Sequence, residues 1–131
     1  MSEVVISDPL LAEGLARISE EIAGAFDALL PVPDDQRARL VEAMRYAAIG
    51  GGKRLRPLLL TAVAEMFGVV REAAIRAAIA IESIHVYSLI HDDLPCMDDD
   101  ALRHGKPTVH LAYDEATAVL AGDSLLAFAF E

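Results

Sequence analysis

Apolar positions recur every three or four residues through most of the chain, and no stretch of any length alternates with the two-residue period of a strand. Ile18, Ile22, Ala25, Phe26 and Leu29 fall on one face of a helix that opens at Asp8-Pro9 and runs to about Leu30. Asp8 is suited to the N-cap and Pro9 to the first turn, where its missing N–H costs nothing. Pro31-Val32-Pro33 breaks this helix. Asp34 or Asp35 is placed to cap a second one, which ends at Gly50-Gly51-Gly52. A third begins near Arg54–Pro57 and stops at Gly68. The fourth, about Glu72 to His91, is apolar nearly all round, which marks it as central and buried. Pro95 ends or kinks it by removing a backbone donor. A turn at Gly105-Lys106-Pro107 precedes a last helix that starts near Asp114. The pattern predicts an all-α fold in one domain, residues 1–131, with no internal repeat or linker. The apolar pattern from Ala118 to Glu131 stops without a cap or a glycine, so the chain is expected to be the N-terminal part of a longer protein.

Composition narrows the function classes. A net charge of −10 argues against nucleic-acid binding, which needs a basic surface to neutralise phosphates. The few cations are uneven, with Lys53, Arg54 and Arg56 together, and a local basic patch in an acidic protein suggests a small anionic ligand. Cys96 is the single cysteine, which excludes an internal disulfide and fits a reducing compartment. Met1-Ser2-Glu3 lacks the basic start of a signal peptide. Ala73 to Ile90 is interrupted by Arg76, Glu82 and His85, so it does not read as a membrane span. A soluble, cytoplasmic protein is expected.

The candidate chemistry lies after the fourth helix, in Asp92-Asp93-Leu94-Pro95-Cys96-Met97-Asp98, which runs on into Asp99 and Asp100. Carboxylates at a helix C-terminus meet its partial negative charge, at about 0.3–1 kcal/mol each. A chain that crowds them there points to a divalent metal. Mg²⁺ takes one or two carboxylates together with water and phosphate oxygens, and the break at Pro95 lets Asp92 and Asp98 converge on one ion. The plainer alternative is a solvated acidic turn. His85 sits seven residues before Asp92, nearly two helical turns, with Ser88 on the same stripe. Taken alone it reads as a core histidine, and only the stripe's ending at the aspartates adds a binding role. Gly50-Gly51-Gly52-Lys53-Arg54-Leu55-Arg56-Pro57 joins a flexible turn to a helix N-terminus, where backbone amides and cations suit a phosphate. It is not a P-loop, because the required Ser or Thr is absent at Arg54. It reads equally as a charged surface loop. Arg103 can contact a second anion, neutralise the aspartates, or lie in solvent. His91, His104 and His110 have no comparable support beyond His104's place beside Arg103.

The two motifs, Gly51-Gly52-Lys53-Arg54-Leu55-Arg56-Pro57 and Ile84-His85-Val86-Tyr87-Ser88-Leu89-Ile90-His91-Asp92-Asp93-Leu94-Pro95-Cys96-Met97-Asp98-Asp99-Asp100, resemble those of trans-isoprenyl diphosphate synthases. Gly105-Lys106-Pro107-Thr108 and Leu120-Ala121-Gly122-Asp123 extend the likeness, which covers roughly residues 10–131. The resemblance implies a helical bundle of the isoprenoid synthase type and a prenyltransferase that joins isopentenyl diphosphate to an allylic diphosphate. By the same resemblance, Asp92 and Asp98 hold Mg²⁺ bridged to the allylic diphosphate, and Arg103 binds that diphosphate. Lys53, Arg56, His85 and His104 match the isopentenyl diphosphate ligands. His104 departs from the family's usual arginine, so weaker affinity for that substrate is expected. Pyrophosphate is the implied acceptor of the final proton. Tyr87, five residues before Asp92, matches the position that limits product length, and its bulk goes with farnesyl diphosphate as product. A geranylgeranyl diphosphate synthase is the alternative. A homodimer is implied, with no nucleic-acid or membrane partner.

The family's second Asp-rich motif has no counterpart after Asp123, which keeps a non-catalytic fragment or regulatory subunit in view. His91-Asp92 in a helical chain also suggests an HD-type metal phosphohydrolase, although that reading leaves the glycine and lysine motif unexplained.

Overall fold

The computed structural model describes residues 8–131; the reading of Met1-Ser2-Glu3 falls outside them. The helices are α1 (Pro9–Leu29), α2 (Ala38–Ile49), α3 (Leu55–Met66), α4 (Arg71–Asp92), α5 (Val109–Ala112) and α6 (Glu115–Phe128). Between α4 and α5 lies a small antiparallel hairpin of β1 (Leu102–Arg103) and β2 (Lys106–Pro107). The all-α expectation holds: six helices carry the fold, and the hairpin is its only sheet among the described residues.

The caps follow the sequence chemistry. Asp8 accepts a hydrogen bond from Leu10 N at 2.9 Å and Pro9 occupies the first turn. Asp114 caps α6 by accepting from Thr117 N at 2.7 Å. Gly68, at φ +70°, closes α3 with bonds from Gly68 N to Glu65 O and from Val69 N to Ala64 O, the paired bonds of a left-handed glycine stop.

The expected cap of α2 is displaced. Asp35 accepts from Arg37 N at 2.8 Å and pairs with the Arg37 guanidinium, while Ala38 N bonds to Asp35 O. The aspartate thereby builds a local turn, and the helix begins only at Ala38.

α4 is the central element, packed by α1, α2, α3 and α6. Its Ala78, Ile79, Val86 and Ile90 meet Ile18, Ile22 and Phe26 of α1, Met44 and Ala48 of α2, and Ala118, Ala121 and Leu125 of α6 in one buried cluster. Full burial of each large side chain contributes about 1.5–3 kcal/mol. α4 passes the length and composition test for a membrane span, but here it is the core helix, and it buries Glu82 and Ser83 among its neighbours. α3 leaves Leu59, Val63 and Met66 exposed along one side, and Phe67 just past its end is exposed as well.

Candidate functional site

Three segments meet above the α3–α4 pair. The first is the glycine loop before α3, where Gly51 (φ +149°), Gly52 (φ +106°) and Arg54 (φ +57°) all take backbone conformations disfavoured for ordinary side chains. The second is the pocket-facing side of α4. The third is the hairpin, whose turn residues His104 (φ +53°) and Gly105 (φ +76°) both have positive φ, as a two-residue hairpin turn of matching twist requires. The turn folds over the glycine loop, so that a Cβ on Gly51 would lie 3.4 Å from the His104 Cβ.

These segments enclose a cavity of about 290 Å³. Lys53, Arg56, His85, Arg103 and His104 line it together, although the outermost two, Lys53 and His104, are far apart in sequence. Arg56 Nη1 donates to His85 Nε2 at 3.3 Å. That bond needs an unprotonated nitrogen, and burial followed by the neighbouring Arg56 and Arg103 holds the His85 pKa below its ordinary value. His104 is lowered as well, first by burial and then by Arg103, Arg54 and Lys106.

Arg54 does not join the anion-facing cations, as the cluster with Lys53 and Arg56 suggests. Its guanidinium is buried, donates to Ala48 O, lies 5.8 Å from the Phe26 ring centroid, and faces Glu82 at 3.8 Å. Burial lowers the Arg54 pKa and raises that of Glu82, each partly offset by the other's charge. One Glu82 oxygen has no hydrogen-bond partner.

The Asp-rich turn divides its labour. Asp98 N bonds to Asp92 O at 2.8 Å, Asp99 N to Leu94 O, and Asp100 N to Asp93 O, winding the segment back on itself after Pro95. Asp92 and Asp98 are thus held close through the backbone, and both are exposed. Among the described residues neither carboxylate has a hydrogen bond or ion pair. Asp93 is buried and takes Arg103 at two points, from Nη2 at 2.6 Å and Nε at 3.1 Å. Of the three roles open to Arg103 in the sequence, the structure shows it neutralising an aspartate at the cavity edge. Asp92 and Asp98 stand outside the cavity lining, so His85 and Asp92 share a stripe without sharing the pocket.

Among the described residues no three His, Cys, Asp or Glu side chains converge as a closed metal cage. Two neighbouring exposed carboxylates without protein partners are instead the donor set of a hard cation completed by water and phosphate oxygens, which suits Mg²⁺. His91 does not pair with Asp92. Its Nε2 donates to Val119 O at 3.0 Å and lies 3.7 Å from Asp123, which leaves the HD-type reading without its histidine ligand. Tyr87 is half-buried against the core, edge-on to the His91 ring at 5.6 Å. Lys106, Tyr46 and Asp93 are the functional candidates that spacing alone did not single out. Lys106 lies on a hairpin too short to show as a period, Tyr46 lies in α2 away from either motif, and nothing in the Asp-rich run marks Asp93 as the aspartate that turns inward.

The chain resembles known proteins over most of its length. It is 51% identical over 120 residues to a farnesyl diphosphate synthase of Haemophilus influenzae, covering 92% of this chain and 41% of that protein. It is 64% identical over 90 residues to a chloroplastic geranylgeranyl pyrophosphate synthase of Capsicum annuum, covering 69% of this chain and 24% of that protein. The crystal structure of an FPP/GFPP synthase from Zymomonas mobilis superposes with a TM-score of 0.91 at 63% identity, over 92% of this chain and 44% of that one. The chain therefore spans less than half the length of these relatives. The polyprenyl synthetase family model matches residues 37–131, from the start of α2 through the cavity to the last helix, and the chain belongs to the polyprenyl synthetase family.

Proposed function

We propose that this chain forms the isopentenyl diphosphate pocket and the first metal-binding carboxylates of a trans-prenyltransferase. The reaction joins isopentenyl diphosphate to dimethylallyl or geranyl diphosphate and releases pyrophosphate. The observation that carries this reading is the convergence of Lys53, Arg56, His85 and His104 on one cavity, directly beside a turn that displays Asp92 and Asp98. Lys53 and Arg56 hold the non-allylic diphosphate, with His85 and His104 as hydrogen-bonding neighbours. Arg103, fixed by Asp93 between cavity and turn, faces the allylic diphosphate. Asp92 and Asp98 would hold Mg²⁺, which would supply neutralisation of the charge on the departing pyrophosphate. The cations of the chain add to that neutralisation where charge develops on the leaving group. The pocket holds the double bond of isopentenyl diphosphate beside the allylic carbon it attacks. The C–O bond to pyrophosphate breaks, the new C–C bond forms, and the proton lost from the condensed chain goes to pyrophosphate. No side-chain nucleophile takes part.

Tyr87, wedged near the end of α4, limits the growing chain, and farnesyl diphosphate is the proposed product. The likeness to the geranylgeranyl pyrophosphate synthase of Capsicum annuum supports the longer product as the second reading. Tyr87→Ala lengthens the product under the first reading and leaves it unchanged under the second. The proposed assembly is a cytoplasmic homodimer, to which the exposed Leu59, Val63 and Met66 of α3 and the adjoining Phe67 would contribute apolar surface. The test is ligand titration with and without Mg²⁺. Isopentenyl diphosphate is expected to bind without metal, while dimethylallyl diphosphate is expected to bind only with it and to lose that Mg²⁺-dependent binding in Asp92→Asn. Absence of binding by either diphosphate contradicts the assignment.

A further inference from the structure

Lys106 lines the same cavity and has no role in the reading above. β1 and β2 pair Arg103 directly with Lys106, so the two cations stand opposite each other on one small hairpin. Like charges in that arrangement repel. Arg103 is relieved by Asp93, but among the described residues Lys106 has no carboxylate partner. Its ammonium is instead held by aromatic and carbonyl groups, 4.4 Å from the Tyr46 ring centroid and 3.5 Å from Tyr46 O. The strand that carries it is tied down, because Tyr46 Oη donates to Pro107 O at 2.7 Å. The glycine loop makes room for it: a Cβ on Gly50 would overlap Nζ.

The cavity's charges make the purpose specific. Five cations line it, Lys53, Arg54, Arg56, Arg103 and Lys106, against the two carboxylates Glu82 and Asp93. Arg54 faces Glu82 and Arg103 faces Asp93, which leaves Lys53, Arg56 and Lys106 uncompensated. With His104 inclined to its neutral form, the hairpin's free positive charge resides on Lys106. We propose that Lys106 is a third cationic ligand, with Lys53 and Arg56, for the diphosphate bound in this cavity. This rests on the cavity's being a diphosphate site, as proposed above.

The test titrates inorganic pyrophosphate into the 131-residue chain in metal-free buffer at low salt, so that the Asp92–Asp98 turn takes no part. Lys106→Met keeps a stem to lie on Tyr46 and removes only the charge. Pyrophosphate is expected to bind about tenfold more weakly to it, the loss of one charge-assisted hydrogen bond. Lys106→Arg is expected to retain the affinity, and His104→Arg to restore it in the Lys106→Met background, at unchanged thermal stability. If Lys53→Met weakens binding and Lys106→Met does not, the assignment of Lys106 is overturned and the pocket stands. If neither variant alters binding, both the assignment and the diphosphate pocket are overturned.

Discussion

Asp93 and Arg103 form a two-point ion pair at 2.6 and 3.1 Å that ties the turn after α4 to β1, with the Asp93 side chain only 4% exposed. The neighbouring Asp92 is exposed and unpaired among the described residues, so two adjacent aspartates have opposite employments. Asp93→Ala is expected to cost about 2 kcal/mol of stability, because it strands a part-buried guanidinium. Asp92→Asn is expected to stay within about 0.5 kcal/mol of the parent. Denaturant unfolding of the two variants checks this, and equal losses would remove the distinction.

The Glu82–Arg54 pair makes a second prediction. Both side chains are 4% exposed, and the 3.8 Å separation leaves one carboxylate oxygen without a hydrogen bond. Glu82→Ala is expected to cost about 3 kcal/mol by leaving Arg54 buried without a counter-ion. Replacing both, Glu82→Leu with Arg54→Met, is expected to cost less than that single change. A double-mutant cycle built from Glu82→Leu, Arg54→Met and the two together, read as unfolding free energies, decides it, and strict additivity would show that the two charges do not interact.

Gly122 leaves room for His91. A Cβ at Gly122 would overlap the imidazole that bonds to Val119 O, so Gly122→Ala is expected to destabilise by about 1–3 kcal/mol. In a His91→Ala background the same change is expected to be neutral or stabilising, because alanine is then the better helix former. The sign reversal is read from melting curves; a Gly122→Ala penalty that persists without His91 would assign it to something other than the ring.

The two pocket histidines set a pH trend. His85 and His104 have folded pKa values lowered from the usual 6.5 by burial and neighbouring cations. Between those lowered values and 6.5 the unfolded chain binds more protons than the folded one, so stability rises with pH there. Their penalty is absent above 6.5 and grows as pH falls below it. Unfolding at pH 5.5 and 7.5 is therefore expected to show a smaller loss on acidification for the His85→Gln, His104→Gln double variant than for the parent. An equal or larger loss would contradict the lowered values.

Much of this was legible in the sequence, and the failures share a cause. Asp8-Pro9, Gly68 and Asp114 act through their own backbone within a few residues, so local chemistry placed α1, the end of α3 and the start of α6. The apolar girth of α4 foretold its central place. Asp35 misled because an aspartate satisfies a turn as readily as a helix start, and Arg37 was there to close the turn. Lys53, Arg54 and Arg56 read as one basic cluster, but the left-handed conformation at Arg54 sends its side chain under the loop to Ala48 and Glu82. Spacing reports which residues are neighbours; it does not report which of Asp92 and Asp93 turns inward. The hairpin of Leu102–Arg103 and Lys106–Pro107 is too short to show a period, so Lys106 read only as part of a turn and its place in the cavity stayed hidden.

The most direct test of the central claim is condensation itself. Protein expressed from its complete reading frame is incubated with labelled isopentenyl diphosphate, dimethylallyl diphosphate and Mg²⁺, and the products are separated by chain length. The account predicts a labelled longer prenyl diphosphate with stoichiometric pyrophosphate, abolished by Asp92→Ala and sharply reduced by Lys53→Met. Unchanged turnover in both variants, or release of inorganic phosphate without any need for isopentenyl diphosphate, would contradict it.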